Sequence, residues 1–164
     1  MSAVASFYLL DHPRLPDVMA AATPDPAGWF RSARDTFPGV LRSFARELEP
    51  FTAASGWVFN TLDLYLEDRH GFMLDAFGDA AISDRLSKAR GSYWLALPPD
   101  AAARLLEALE RIDPSPADLV AFITSEHGAA DATEGAMAVQ AAMAALGAWL
   151  KQVSPGVTGL LSVG

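Results

Sequence analysis

Two short segments of strand character stand at opposite ends of the chain, VASFYLL at residues 4–10 and GLLSVG at its close. Each peptide unit in such a segment brings an N–H and a C=O that need partners once buried, and a lone strand offers none. The two ends are therefore expected in one sheet, with strands near 4–10 and 158–163. A third segment, SYWLAL at 92–97, has the aromatic content and length of a strand. Between them, apolar residues recur at steps of three and four, the helical period. The expected fold class is α+β: a single domain over 1–164, with a small sheet of about three strands that includes both termini and is covered by several helices. At 164 residues and 51% apolar content the chain can bury one sizeable core, and is too short for two cores and a linker.

The helices follow from periodicity and caps. Residues 15–22 predict a short helix before the turn cluster TPDPAG, and 29–36 a further helical turn stopped by Phe37-Pro38-Gly39. Val40, Leu41, Phe44 and Leu48 predict a core-facing helix over 40–48, ended by Pro50. Ser55 is the expected N-cap of a helix from Gly56 to Arg69, with Val58, Phe59, Leu62 and Leu66 on its core face and Gly71 past its end. Residues 72–77 read equally as strand or helix. Asp79 should cap a helix through Ala89, closed by Gly91. Pro98-Pro99-Asp100 opens a helix whose apolar face is Ala101, Leu105, Leu109 and Ile112, and Ser115-Pro116-Ala117-Asp118 opens another that Gly128 ends. The longest helix, 134–151, carries Val139, Met143, Leu146 and Leu150 on one side and Met137, Ala141, Ala144 and Ala148 on the other, and both sides are expected to be buried.

Twenty acidic residues against twelve basic leave a net charge of −8, divided as −3 over residues 1–90 and −5 over 91–164. That field repels a polyanion, so no nucleic acid is expected as a partner. Arg31, Arg34, Arg42 and Arg46 form the one basic concentration, and with Glu47 and Glu49 beside it a solvated, ion-paired helix face is the simpler reading than an anion site. The longest uncharged stretch, 135–150, reaches about 24 Å as a helix against a hydrocarbon core of about 30 Å, so no membrane span is expected. The opening residues lack a basic n-region, and a cytoplasmic location follows as the expectation. Without cysteine, disulfides, zinc ribbons and thiol catalysis are excluded.

Signatures of the common enzyme classes are missing: GxSxG, the phosphate-binding GxxxxGK, GxGxxG, HExxH and the EF-hand loop. His12, His70 and His127 are scattered, and no acidic loop gathers the oxygens that hard cations use. Neither a metal nor a cofactor is expected. The best constellation lies on WVFNTLDLYLEDRH, where Asp63, Glu67 and His70 fall at i, i+4 and i+7 and project within about 60° of one another. Carboxylates and an imidazole on one stripe suit acid–base work or metal binding, but equally a polar border beside an apolar face. Asn60, the sole asparagine, lies near that stripe, Trp57 is a turn away, and Tyr93 opens the strand at 92–97. These six are the candidate binding residues, and none is assigned a catalytic role. Ser125 and His127 point in different directions on a helix, so they do not form a nucleophile–base pair, and His127 more simply complements the helix end. Trp29, Trp57, Trp94 and Trp149 read as core residues before pocket liners.

The segments VASFYLL, GWVFNTLDLYLED and ARGSYWLALPPDAAARLLEALERID, followed by a long helix and GLLSVG, stand in an order that resembles the YfbM-like family of uncharacterised bacterial proteins. That family opens with a short aromatic strand, carries a Trp-containing helix in mid-chain, and follows with a strand, a proline-started acidic turn and an Ala/Leu-rich helix. The resemblance implies a fold and no settled activity. Val58 stands where the family places a histidine after its helix Trp, and no functional residue carries over.

The favoured function is a non-catalytic binding or interaction module, immunity-like or regulatory, that presents its acidic face to a basic protein partner. The alternative is a small hydrolase using Asp63, Glu67 and His70 around a pocket near Trp57 and Tyr93.

Overall fold

The computed structural model describes residues 3–23 and 35–164. The turn cluster expected after Thr23 and the helical turn at 29–36, with Trp29, Arg31 and Arg34, lie largely or wholly outside them. The chain runs β1 (Ala5–Asp11), α1 (Leu15–Ala22), α2 (Phe37–Phe44), β2 (Ala45–Glu47), α3 (Val58–His70), α4 (Ala80–Arg90), β3 (Tyr93–Leu97), α5 (Pro99–Glu110), α6 (Pro116–His127), α7 (Ala132–Leu150) and β4 (Val157–Val163). The strands form one antiparallel sheet in the order β2-β1-β4-β3.

The two ends of the chain pair as expected. β1 and β4 are neighbours over their whole length, from Ala5 opposite Val163 to Asp11 opposite Val157. Val4 N donates to Gly164 O at 3.0 Å and Gly164 N to Val4 O at 3.1 Å, which extends the ladder past both strands. Gly159 sits mid-ladder because a Cβ there would stand 2.5 Å from Phe7 Cζ. Phe7 in turn stacks on Trp149 at 5.5 Å, and Trp149 on Phe59 at 5.7 Å, tying β1 to α7 and α3.

The sheet has four strands rather than about three, and the extra one overturns part of the helix expected over 40–48. That helix starts earlier, at Phe37, because Pro38 falls in its first turn, where a missing N–H is harmless, and Asp35 Oδ1 accepts from Phe37 N at 3.1 Å. It stops at Phe44. Ala45 turns extended and 45–47 pair with Leu10, Leu9 and Tyr8, after which Leu48 N donates to Phe7 O at 2.8 Å. Unpaired edge groups of β1 outweigh the helical period of the side chains here. Arg46 is consequently on a strand, its guanidinium 3.4 Å from Gln152 Oε1, and among the described residues no ion pair joins Arg42 or Arg46 to Glu47 or Glu49.

Alternating strand residues feed two cores. On one face Phe7, Leu95, Leu97, Leu161 and Val163 meet α3, α5, α6 and α7. On the other, Leu10, Trp94, Ala96 and Leu160 meet α1, α2 and α4. α4 also closes the outer edge of β3. Asp79, Ser83 and Ser87 recur every four residues on the side of α4 that meets the strand: Asp79 N donates to Ala96 O, Ser83 Oγ accepts from Ala96 N, and Ser87 Oγ both accepts from Trp94 N and donates to Trp94 O. A sheet edge that would template foreign strands is thereby capped by its own helix.

Two further expectations fail. Ser55 does not cap α3: the first turn is closed by backbone, with Val58 N donating to Ser55 O and Phe59 N to Gly56 O, and Ser55 Oγ is buried without a partner among the described residues. Gly56 N reaches Ala3 O at 2.8 Å, so the approach of this segment to β1 sets the helix start. The long helix is buried on one side only. Ala136, Val139, Ala142, Leu146, Trp149 and Leu150 face the core, while Ala144 and Ala148 are exposed and Met137 is 66% exposed. Of the four residues expected on that second side only Ala141 is half-buried, packed at the margin of the core, and the other three meet solvent.

Candidate functional site

The stripe on α3 splits in space. Asp63 is half-buried, and its Oδ1 accepts from Leu74 N at 2.6 Å, stapling the loop after α3 back onto the helix. Burial raises its pKa; the Leu74 bond opposes this, and the neighbouring carboxylates of Asp75 and Glu67 reinforce it. Tyr93 places its Oη in the same niche, buried and without a partner among the described residues. Burial, then the charges of Asp63 and Asp75, push that phenol well above its usual range, so it stays protonated. Asp63, Asp75 and Tyr93 therefore belong together, with Glu67 on the solvent side.

His70 is elsewhere. It is exposed at the end of α3, edge-on to Tyr65 at 5.5 Å, and among the described residues no hydrogen bond or ion pair joins it to Asp63 or Glu67. Asn60 is exposed too. No group of three or more His, Asp or Glu among the described residues is arranged to hold a metal ion. A half-buried carboxyl beside a neutral phenol is material for proton transfer, but the one hydrogen bond Asp63 makes among the described residues goes to a backbone amide.

Sequence reasoning missed a second polar link on this helix. Tyr65 Oη donates to Asp118 Oδ2 at 2.9 Å, and Arg69 Nε lies 3.4 Å from Asp118 Oδ1, joining α3 to α6. Burial and the Asp118 bond push the Tyr65 phenol up to about 12. The available signal was a tyrosine on an apolar helix face, whose hydroxyl needs an acceptor when buried.

Trp57 belongs to a different place. It is 52% exposed and borders a cleft of about 400 Å³ between the start of α3 and the corner joining α6 to α7, with Ser55, Ile123, His127, Asp131 and Glu134. The cleft runs on past Met137, Ala138 and Ala141 into a second of about 690 Å³, which shares Ser55, Asp131 and Glu134 with the first. A third, sharing Ala53 and Ala141, continues past Ala145 and Ala148 to Glu49. Together they make a groove along the side of α7 that the fold leaves uncovered, walled opposite by residues 49–57.

Its chemistry is mixed. Trp57 and Met137 are two of the large apolar side chains that stand exposed, and both line it. Among the described residues the carboxylates along it are Glu49, Asp131 and Glu134, and no Lys or Arg lines it. Asp131 sits at the N-cap of α7 with φ +61°, a left-handed backbone that aspartate tolerates, and its side chain makes no cap bond. Of these residues only Trp57 was singled out from sequence as a binding candidate. Met137 reads as core in a helix this rich in alanine, and Asp131 and Glu134 read as favourable charges at a helix start.

No family model, no curated protein and no solved structure matches the chain.

Proposed function

We propose that this protein is a non-catalytic binding module that docks a basic protein partner on the groove along α7. The observation that carries the reading is the juxtaposition of Trp57 and Met137, both exposed, with Asp131, Glu134 and Glu49 as the groove's charged groups. Aromatic and methionine side chains are favoured at the centre of interfaces, and exposed apolar surface rimmed by polar groups marks contact sites. Acidic groups of one sign steer a basic partner and reject acidic ones. The net charge of −8 extends that field over the whole surface. The candidate residues on α3 act in this reading as structure: Asp63 staples a loop, and His70 packs on Tyr65. The resemblance to the YfbM-like family enters as a proposal about fold alone, supported by the strand–proline–helix segment of β3 and α5.

The test is affinity capture from the source cell with the wild-type chain and with the double variant Asp131→Asn/Glu134→Lys. Asparagine suits the left-handed backbone at 131, so the variant keeps the corner. A lysine- or arginine-rich protein retained by the wild type and lost by the variant is expected. Equal retention by both, or a hydrolytic turnover abolished by His70→Ala, would replace this reading.

A further inference from the structure

We infer that the groove takes an amphipathic, lysine- or arginine-rich α-helix of the partner protein, laid along α7. The inference rests on the binding reading above and adds the conformation of what is bound. An extended segment would have to pair its backbone with a free edge, and the groove's far wall offers little: the amides of Leu48, Phe51 and Gly56 donate to Phe7 O, Ala5 O and Ala3 O of the β1 side. A peptide without such pairing would carry unsatisfied N–H and C=O groups into an apolar trough, whereas a helix satisfies its own. The α7 wall is shaped for close approach. Ala138, Ala141, Ala145 and Ala148 recur at steps of three, four and three and line the groove in turn. Small residues on such a stripe let two helix axes come toward the short end of the usual 8–10 Å separation. From Asp131 to Ala148 the α7 wall runs about 25 Å, the length of a partner helix of four to five turns.

Charge selects the occupant. Glu49 lies at one end of the groove and Asp131 and Glu134 at the other, so a helix with apolar residues on one face and basic residues flanking them meets Met137 and Trp57 with its apolar face and carboxylates at both ends. A second copy of this chain is the poorer fit. It would bring another surface of net charge −8 and, among the described residues, no lysine or arginine from its own groove.

The experiment titrates the full chain with two labelled synthetic peptides of about 17 residues, made of leucine and lysine only, followed by fluorescence anisotropy. One spaces its leucines at the helical period; the other has the same composition in an order that gives no apolar face. The helical-period peptide is expected to bind one-to-one, roughly tenfold tighter than the shuffled one. Met137→Gln and Ala148→Gln, both at exposed positions that leave the fold intact, should each weaken it at least about fivefold, while Ala103→Gln on the exposed side of α5 leaves it unchanged. Equal affinity for the two peptides overturns the inference, as does indifference to both groove variants. So does a chain dimer in solution that Met137→Gln dissolves, since the groove would then hold a second copy. The Asp131→Asn/Glu134→Lys variant separates the two levels: if it abolishes equal binding of both peptides, only the helical conformation falls, and if it leaves them untouched the binding reading falls too.

Discussion

Asp63 accepts one hydrogen bond and feels two like charges, and these act on its titration in opposite directions. Burial and the Asp75 and Glu67 carboxylates raise its pKa, while the Leu74 amide lowers it, and the net shift is upward. A carboxyl whose folded pKa lies above its unfolded value of about 3.9 is favoured by folding when protonated. Its contribution to stability is thus fully present below the unfolded pKa and is lost as pH rises through the folded one. Asp63→Asn removes that titration and keeps an acceptor for Leu74 N. Chemical denaturation from pH about 3 to about 7 should therefore show the Asn variant gaining on the wild type as pH rises. Asp63→Ala leaves the buried Leu74 amide unpaired, and the expected loss is about 1–3 kcal/mol at neutral pH. Tyr93 presents the reverse case. Its buried hydroxyl has no partner among the described residues, so Tyr93→Phe should be neutral or stabilise by up to about 1 kcal/mol, read as an unchanged or higher Tm. A lower Tm would mean that the hydroxyl has a partner in solution. The i, i+4, i+7 stripe was legible on α3, but which member turns inward was not, because the loop carrying Leu74 and Asp75 decides it.

At the scale of elements, α7 discriminates between the two faces that its composition leaves equivalent. Ala142 is fully buried and Ala144 is exposed, two residues apart on the same helix. Ala142→Leu should overpack the core at about 1–3 kcal/mol, whereas Ala144→Leu should stay within about 0.5 kcal/mol of the wild type in a denaturant melt. A large loss at Ala144 would mean that this side is covered. Alanine is at home on either side of a surface, so the periodicity of large residues located the core face of α7 but said nothing of the other. The helices with caps were the most legible elements, since Asp79 accepting from Ile82 N and Ser115 accepting from Asp118 N are local events written in a few adjacent residues. β1, β3 and β4 were legible from aromatic and branched residues between breakers. β2 was not, because three residues are too few for any period, and their conformation is imposed by the open edge of β1.

For the whole molecule, the excess of acidic over basic residues makes salt act in two opposite senses. Self-repulsion among charges of one sign weakens the compact state, and it reaches furthest when the Debye length is long. Raising ionic strength from about 0.01 M to about 0.15 M shortens that length from about 30 Å to about 8 Å. Local pairs respond to the change less than the global field does: the Arg90–Asp35 contact at 2.6 Å, which holds the Asp35 carboxyl below its usual range, is one of a handful of ion pairs among the described residues, most of them exposed. Exposed pairs of this kind contribute little, so the loss of their attraction is smaller than the relief of a net charge of −8. The Tm at pH 7 is therefore expected to rise over this range of salt. Binding of a basic segment at the groove should respond with the other sign, because the same screening removes the long-range attraction that brings the partner in. Stopped-flow association with the helical-period leucine–lysine peptide should slow over the same salt series, with a smaller change in the dissociation rate, since the field sets encounter and the apolar contacts at Trp57 and Met137 set release. A Tm that falls with salt would show that specific ion pairs dominate over net repulsion. An association rate indifferent to salt would show that the acidic rim of the groove does not guide its partner.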